Sequence, residues 1–214
     1  MNKGFIFDMD GVLFDTEKLY ERFWIEAASL YGYNMTAEDV ASVRSTDSGM
    51  ARKILKSRLG DSFDYDFIKK ERIRLMSQFT NENGVELMDG VIELLDYVKQ
   101  NNYRIALATT SNLNRAEDFL NKGKIRNYFD YLMTGDKVIK CKPDPEIYIK
   151  AAKGLLLNCE ECFAVEDSYN GVRSAYSAGC KVIMVPHMDI PTDEMLKKTT
   201  VILNNLREII GFIK

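Results

Sequence analysis

Short apolar runs recur along the chain, with stretches of helical periodicity between them. FIFD (5–8), RIALATT (104–110), YLMTGD (131–136), FAVED (163–167) and KVIMVP (181–186) are apolar almost throughout. That continuity, in place of strict alternation, is the pattern of strands covered on both faces. VIELLDYVKQ (91–100) places Val91, Leu94, Leu95 and Val98 at the three-and-four spacing of an amphipathic helix. RAEDFLNK (115–122), PEIYIKAAKGL (145–155) and GVRSAYSAG (171–179) follow suit, the last with Gly179 as its cap. Strands alternating with helices predict an α/β fold with a doubly wound parallel sheet.

The first two strands are separated by nearly a hundred residues, far more than a crossover needs. That interval reads as helix almost throughout. In TEKLYERFWIEAASLYG (16–32), Leu19, Phe23, Ala27 and Leu30 form one stripe; AEDVASV, SGMARKILKSRLG and DYDFIKKERIRLMSQF continue it with polar turns between. About four helices and no strand predict a small inserted bundle over 15–86, with the α/β unit formed by 1–14 and 87–214. Trp24 and the aromatics near it read as the core of the insert. The junctions, near 14–16 and 82–88, are expected to lie side by side as a hinge.

Composition narrows the function. Of 214 residues 46% are hydrophobic and 29% charged, and the net charge is −3, so nothing attracts the whole molecule to nucleic acid or an anionic membrane. An anionic ligand must then be held by local charge, a metal or backbone amides. The N-terminus has no long apolar run, so neither a signal peptide nor a membrane span is expected, and the expectation is a cytoplasmic protein with monomer as the default state. Cys159 and Cys162 form a C-x-x-C, but no second pair exists and His187 is the single histidine, so a four-ligand zinc site is poorly supplied. Cys162 opens the run CFAV, where a thiol packs as a small hydrophobe.

The polar residues that stand out all fall at the ends of predicted strands. Asp8 and Asp10 follow the first; Thr109, Thr110 and Ser111 close the second; Lys142 lies in the loop after the third, in KCKPDP; Glu166 and Asp167 end the fourth, in VEDS. Open α/β sheets bind ligands at the carboxyl ends of their strands, where strand order reverses. Taken alone, Asp8 reads as a strand-end charge and Thr109 as a hydroxyl satisfying a turn. Four segments delivering acids, a hydroxyl and a lysine to one edge read as chemistry. Clustered carboxylates make a hard oxygen site suited to Mg²⁺, which also offsets their mutual repulsion. A lysine, a hydroxyl and a cation are what phosphoryl transfer requires, with one acid free to attack phosphorus and another to carry a proton.

On these residues the chain resembles the haloacid dehalogenase superfamily. DMDGVLFDTE is similar to its nucleophile loop, and ATTSN, the Lys of KCKPDPEIY and VEDSYNGV to its other three motifs, in order. The insert is similar to that superfamily's small helical cap, and the group containing β-phosphoglucomutase and sugar-phosphate phosphatases fits best. The resemblance implies a Rossmann-like core and a Mg²⁺-dependent phosphatase acting on a small phosphate ester, a sugar phosphate, through an aspartyl-phosphate intermediate. It further implies Asp8 as nucleophile and metal ligand, and Asp10 as general acid/base with its carbonyl on the metal. Thr109 and the Thr110 amide would hold the phosphoryl group, and Lys142 would steady nucleophile and phosphate, leaving Lys140 as a solvated charge. Asp167 would be the third ligand, and Glu166 either a ligand or a group behind it.

A signalling receiver domain also gathers acids, a Thr and a Lys on a parallel sheet, but it needs adjacent acids at the first strand and no insert. Within the superfamily, Asp10 disfavours carbon–halogen and phosphonate cleavage. A sugar-phosphate mutase of the β-phosphoglucomutase type remains the alternative. That enzyme's first cap helix carries a Thr and, four residues on, a His; here these positions are Thr16 and Tyr20, and SVRSTDSGM does not reproduce its cap-loop Arg pattern, Arg44 being offset.

Overall fold

The computed structural model describes residues 3–44, 46, 48–188 and 190–214. The chain divides into two compact units, one from the stretch up to Asp15 together with Val85–Lys214, the other from Thr16–Gly84. Strand β1 (Gly4–Phe7) opens the first. The second holds four helices: α1 (Glu17–Leu30), α2 (Ala37–Ser42), α3 (Ser48–Leu59) and α4 (Tyr65–Asn83). The chain then continues as α5 (Val91–Gln100), β2 (Arg104–Thr109), α6 (Leu113–Lys122), β3 (Tyr131–Thr134), α7 (Glu146–Gly154), β4 (Cys162–Glu166), α8 (Tyr169–Ala178), β5 (Lys181–Met184), α9 (Asp193–Lys198), β6 (Val201–Ile202) and α10 (Leu206–Ile213).

The six strands form one parallel sheet in the order β3-β2-β1-β4-β5-β6. Order reverses at β1, so the carboxyl ends of β1, β2 and β4 border the position where ligands bind in such sheets. Both faces of β1 are buried. Phe5 stacks on Phe7 and on Phe163 on one side, at 5.6 and 5.2 Å between rings. On the other, Ile6 joins Ala106, Ala164, Tyr148 and Val172 in the cluster beneath α7 and α8. Cys162 belongs to this cluster, as a packed thiol. Val91, Leu94, Leu95 and Val98 are all buried, as the α5 periodicity requires.

In the helical unit Trp24, Ala27, Leu55 and Ile68 share a core, and Trp24 lies 5.5 Å from the Tyr65 ring. Caps mark its starts: Thr36 and Asp39 form a reciprocal capping box on α2, and the Asp64 carboxylate accepts from Phe67 N–H on α4. One expectation fails locally. Leu30 is 60% exposed, because it ends α1 beyond the packed stripe and Ala28 takes the inward place. Thr16 occupies the N-cap position of α1, but its backbone is already helical, so the side chain makes no capping bond.

The segments joining insert and sheet run antiparallel within the α/β unit. Asp15 N–H donates to Glu86 C=O at 3.0 Å, Met88 N–H to Leu13 C=O at 2.9 Å, and Phe14 pairs with Leu87 between them. Beyond β5 the structure adds α9, β6 and α10, the last with Leu206, Ile209, Ile210 and Ile213 at the spacing of an amphipathic helix. β6 is two residues long and exists only by pairing Val201 with Ile183 and Ile202 with Met184. Among the described residues, no helix is long and apolar enough to cross a membrane.

Candidate active site

β1 ends at Phe7, and the next residue, Asp8, is held in line by its N–H donating to Val165 C=O at 3.0 Å. The turn that follows requires Gly11. Its φ is +80°, a conformation L side chains avoid, and a Cβ there would overlap the Asp167 carboxylate. Gly171, in the first turn of α8, meets the same demand, because a Cβ would fall on the Glu166 carboxyl. The two glycines let three carboxylates approach one another. One oxygen each from Asp8, Glu166 and Asp167 lie mutually within 4.8 Å, and all three residues are buried.

Lys142 enters this cluster from the loop before α7. The carboxylate of Glu146 ties that loop by accepting from the N–H groups of Ile139 and Lys140, while Ser174 Oγ donates to Asp144 C=O at 2.6 Å. Lys150 and those two N–H groups hold the Glu146 carboxyl down at about 2. The Lys142 ammonium donates to Asp8 Oδ1 and to Glu166 Oε1, each at 2.6 Å, and its side chain is only 6% exposed. Lys140, by contrast, is 72% exposed and lies 3.8 Å from Asp144. Of the two lysines, Lys142 alone reaches the acids, because its neighbour's side chain leaves the loop on the solvent side.

Electrostatics follow from that packing. Burial pushes the Asp8 carboxyl up to about 7; Lys142 opposes the shift, while the charges of Glu166 and Asp10 add to it. Burial alone would lower Lys142, but Asp8 and Glu166 outweigh it and raise the ammonium above its ordinary value. Three buried carboxylates thus gather around the single Lys142 ammonium. A hard, all-oxygen cluster of this kind fits a divalent cation such as Mg²⁺.

Thr109, the last residue of β2, is buried, and its Oγ1 accepts from Ser111 N–H at 3.1 Å, which leaves the hydroxyl hydrogen to donate. Thr110 follows it on the exposed side. Gly135 packs so tightly on the Thr110 carbonyl that a Cβ there would overlap it, which fixes the β2 turn against the end of β3. Asn112 caps α6 by accepting from Arg115 N–H at 3.0 Å.

The Asp10 side chain is outside the acid cluster. Both its oxygens accept from Arg115, at 2.6 and 2.9 Å. The sequence reading missed Arg115 and also Tyr148, whose hydroxyl donates to Glu166 Oε1 at 2.5 Å. Burial, with the charges of Glu166 and Asp8, raises the Tyr148 phenol well above its usual range, so it stays a donor. Tyr148 sits on the apolar face of α7, where a phenol is indistinguishable from core; a polar tip on a buried face was the available signal.

The sequence profile of haloacid dehalogenase-like hydrolases matches residues 5–185. A phosphorylated-carbohydrates phosphatase of Thermotoga maritima is 34% identical over 214 residues, covering 98% of this chain and 97% of its own. Among solved structures, CbbY from Rhodobacter sphaeroides in complex with phosphate superposes with a TM-score of 0.81 at 27% identity, covering 98% of this chain and 96% of its own. β-Phosphoglucomutase from Clostridium difficile gives 0.79 at 26% identity, covering 100% and 96%.

Proposed function

The chain belongs to the haloacid dehalogenase-like hydrolase family, and on that footing we propose that it is a phosphatase that releases phosphate from a small phosphorylated carbohydrate, with Asp8 as its nucleophile. The observation that carries this reading is the Lys142 ammonium shared between Asp8 and Glu166, at 2.6 Å from each, at the carboxyl edge of the sheet. The lysine orients one Asp8 oxygen and leaves the other to react.

In the first step an Asp8 oxygen attacks phosphorus, the ester P–O bond breaks, and the departing alcohol oxygen takes a proton from Asp10, which acquires that proton by giving up one of its two hydrogen bonds from Arg115. In the second, Asp10 takes a proton from water as the water oxygen attacks phosphorus; the bond to Asp8 breaks and inorganic phosphate leaves. The Thr109 hydroxyl and the Thr110 amide donate to non-bridging oxygens, and Lys142 balances the charge at Asp8. Asp8, Asp167, Glu166 and the Asp10 carbonyl would hold Mg²⁺, which when bound supplies positive charge to the phosphoryl oxygens. The net charge of −3 supports a small ester over a nucleic acid as substrate.

The mutase reading draws on the likeness to β-phosphoglucomutase. Against it stands Tyr20, whose ring lies 4.5 Å beneath the Arg72 guanidinium inside the helical unit, at the position where that enzyme has a histidine. A phenol with a pKa near about 10 does not exchange protons near neutrality. Arg44 is engaged with Glu17 at 3.3 Å; Ser45 and Asp47 of SVRSTDSGM lie outside the described residues. The test is a panel of sugar phosphates with Mg²⁺, including β-glucose 1-phosphate with its bisphosphate, following free phosphate and isomer together. Phosphate release from one or more members is expected. Efficient isomerisation with little phosphate would replace this reading by the mutase.

A further inference from the structure

We propose that Arg115 is the positioning residue for Asp10: its guanidinium fork fixes where the Asp10 carboxylate lies and keeps it out of the Asp8–Glu166–Asp167 cluster. The inference rests on the reading of Asp10 as the proton carrier. Arg115 Nη2 donates to Asp10 Oδ1 at 2.6 Å and Nη1 to Oδ2 at 2.9 Å, so both oxygens and the carboxylate plane are fixed at once. Nη1 also donates to Ser111 Oγ, which itself lies 3.4 Å from Asp10 Oδ2. A lysine would hold a single point.

The fork is itself braced. Arg115 stands in the first turn of α6, and its guanidinium lies 4.6 Å from the centroid of the buried Phe119 ring. Phe119 meets Phe14 edge-on at 5.6 Å. Phe14 in turn belongs to the Asp10 loop: Gly11 N–H donates to Phe14 C=O at 2.9 Å, and Phe14 N–H to Met9 C=O at 3.1 Å. The same aromatic pair therefore supports the backbone of Asp10 and the cation that grips its side chain. Arg115 and Asp10 are 24% and 20% exposed and joined by two hydrogen bonds, so the fork holds the orientation of the carboxylate as well as its charge. Three acids already share one locus, and a fourth carboxylate free to turn would join them at a cation. A proton carrier must stay apart from that locus to reach the ester oxygen.

Arg115→Ala and Arg115→Lys test this with two substrates, a hexose phosphate, whose alcohol needs a proton to leave, and p-nitrophenyl phosphate, whose phenolate does not. Rapid-quench measurement should show the first alcohol released about 10–100-fold more slowly by Arg115→Ala, with KM within about 3-fold and the first p-nitrophenolate within about 3-fold. Arg115→Lys should recover part of the loss. Equal slowing of both substrates, or a rise in KM with kcat kept, would overturn the proposal in favour of a role at Asp8 or in substrate binding. Crystal structures of the parent and of Arg115→Ala decide the matter without activity. The Asp10 carboxylate should move while Asp8, Lys142 and Glu166 stay, and an unmoved Asp10 refutes the positioning role. A parent enzyme that releases phosphate from neither substrate counts against the phosphatase reading alone, since the structural comparison still judges Arg115.

Discussion

Asp8 is the residue on which opposing influences meet. Burial drives its carboxyl towards the neutral form, and Lys142 at 2.6 Å drives it back. Asp8→Asn keeps the shape and leaves Lys142 paired with Glu166, but an amide cannot attack phosphorus. Phosphate release should fall by at least about 10³-fold with the melting temperature little changed; near-parental turnover would remove Asp8 from the nucleophile role. At this scale the acids were legible because they follow apolar runs, and Lys142 because KCKPDPEIY resembles a family motif. Arg115 and Tyr148 were not, since each lies in a stretch whose periodicity already accounts for it as helix. Which hydroxyl or guanidinium turns towards a carboxylate depends on partners far along the chain, 18 residues away for Tyr148 and 105 for Arg115.

The β4–α8 turn shows how an element, and not one side chain, sets the acid geometry. Ser168 caps α8 by accepting from Gly171 N–H at 3.2 Å, which draws the first helical turn against the Glu166 carboxylate. Ser168 Oγ and Asp167 N–H approach Glu166 Oε2 at 3.4 and 3.3 Å from the same turn. Gly171→Ala would place a methyl on that carboxyl, so either the helix start or Glu166 must move. The expected result is a loss of about 1–3 kcal/mol in urea denaturation together with weaker Mg²⁺-dependent activity. A variant with the parent's stability and metal dependence would show that the turn yields without displacing Glu166. Most strands and helices here were readable from periodicity to within one or two residues, as for VIELLDYVKQ and α5, whereas α4 runs past Phe79 to Asn83. The two-residue β6 was not, because its hydrogen-bonding partners on β5 define it.

Across the whole molecule, protons and folding are linked through the acid cluster. With its carboxyl raised from 3.8 to about 7, Asp8 in the folded protein keeps a proton that the unfolded chain has already released. Its contribution to stability in metal-free protein therefore declines as pH rises from about 4 to about 7, and is level above that. On the proposed ligation by Asp8, Mg²⁺ would need the carboxylate and displace that proton, so its stabilising effect should run the other way. The Mg²⁺-induced rise in melting temperature should be small near pH 5 and reach its plateau above about pH 7. A rise independent of pH would exclude Asp8 as a ligand. Excess chelator should abolish turnover and added Mg²⁺ restore it; unchanged activity would exclude the metal site. The sequence by itself determined the alternation of buried strands and amphipathic helices, the place of the helical insert, and the delivery of Asp8, Thr109, Glu166 and Asp167 to strand ends. Those follow from local periodicity and from where apolar runs stop. Only the tertiary structure decided that Lys142 bridges Asp8 and Glu166, that Gly11 and Gly171 make room for the carboxylates, and that Arg115 takes Asp10 aside. Each of these is a contact between segments distant in the chain, and its sign and geometry depend on burial, which no local pattern encodes.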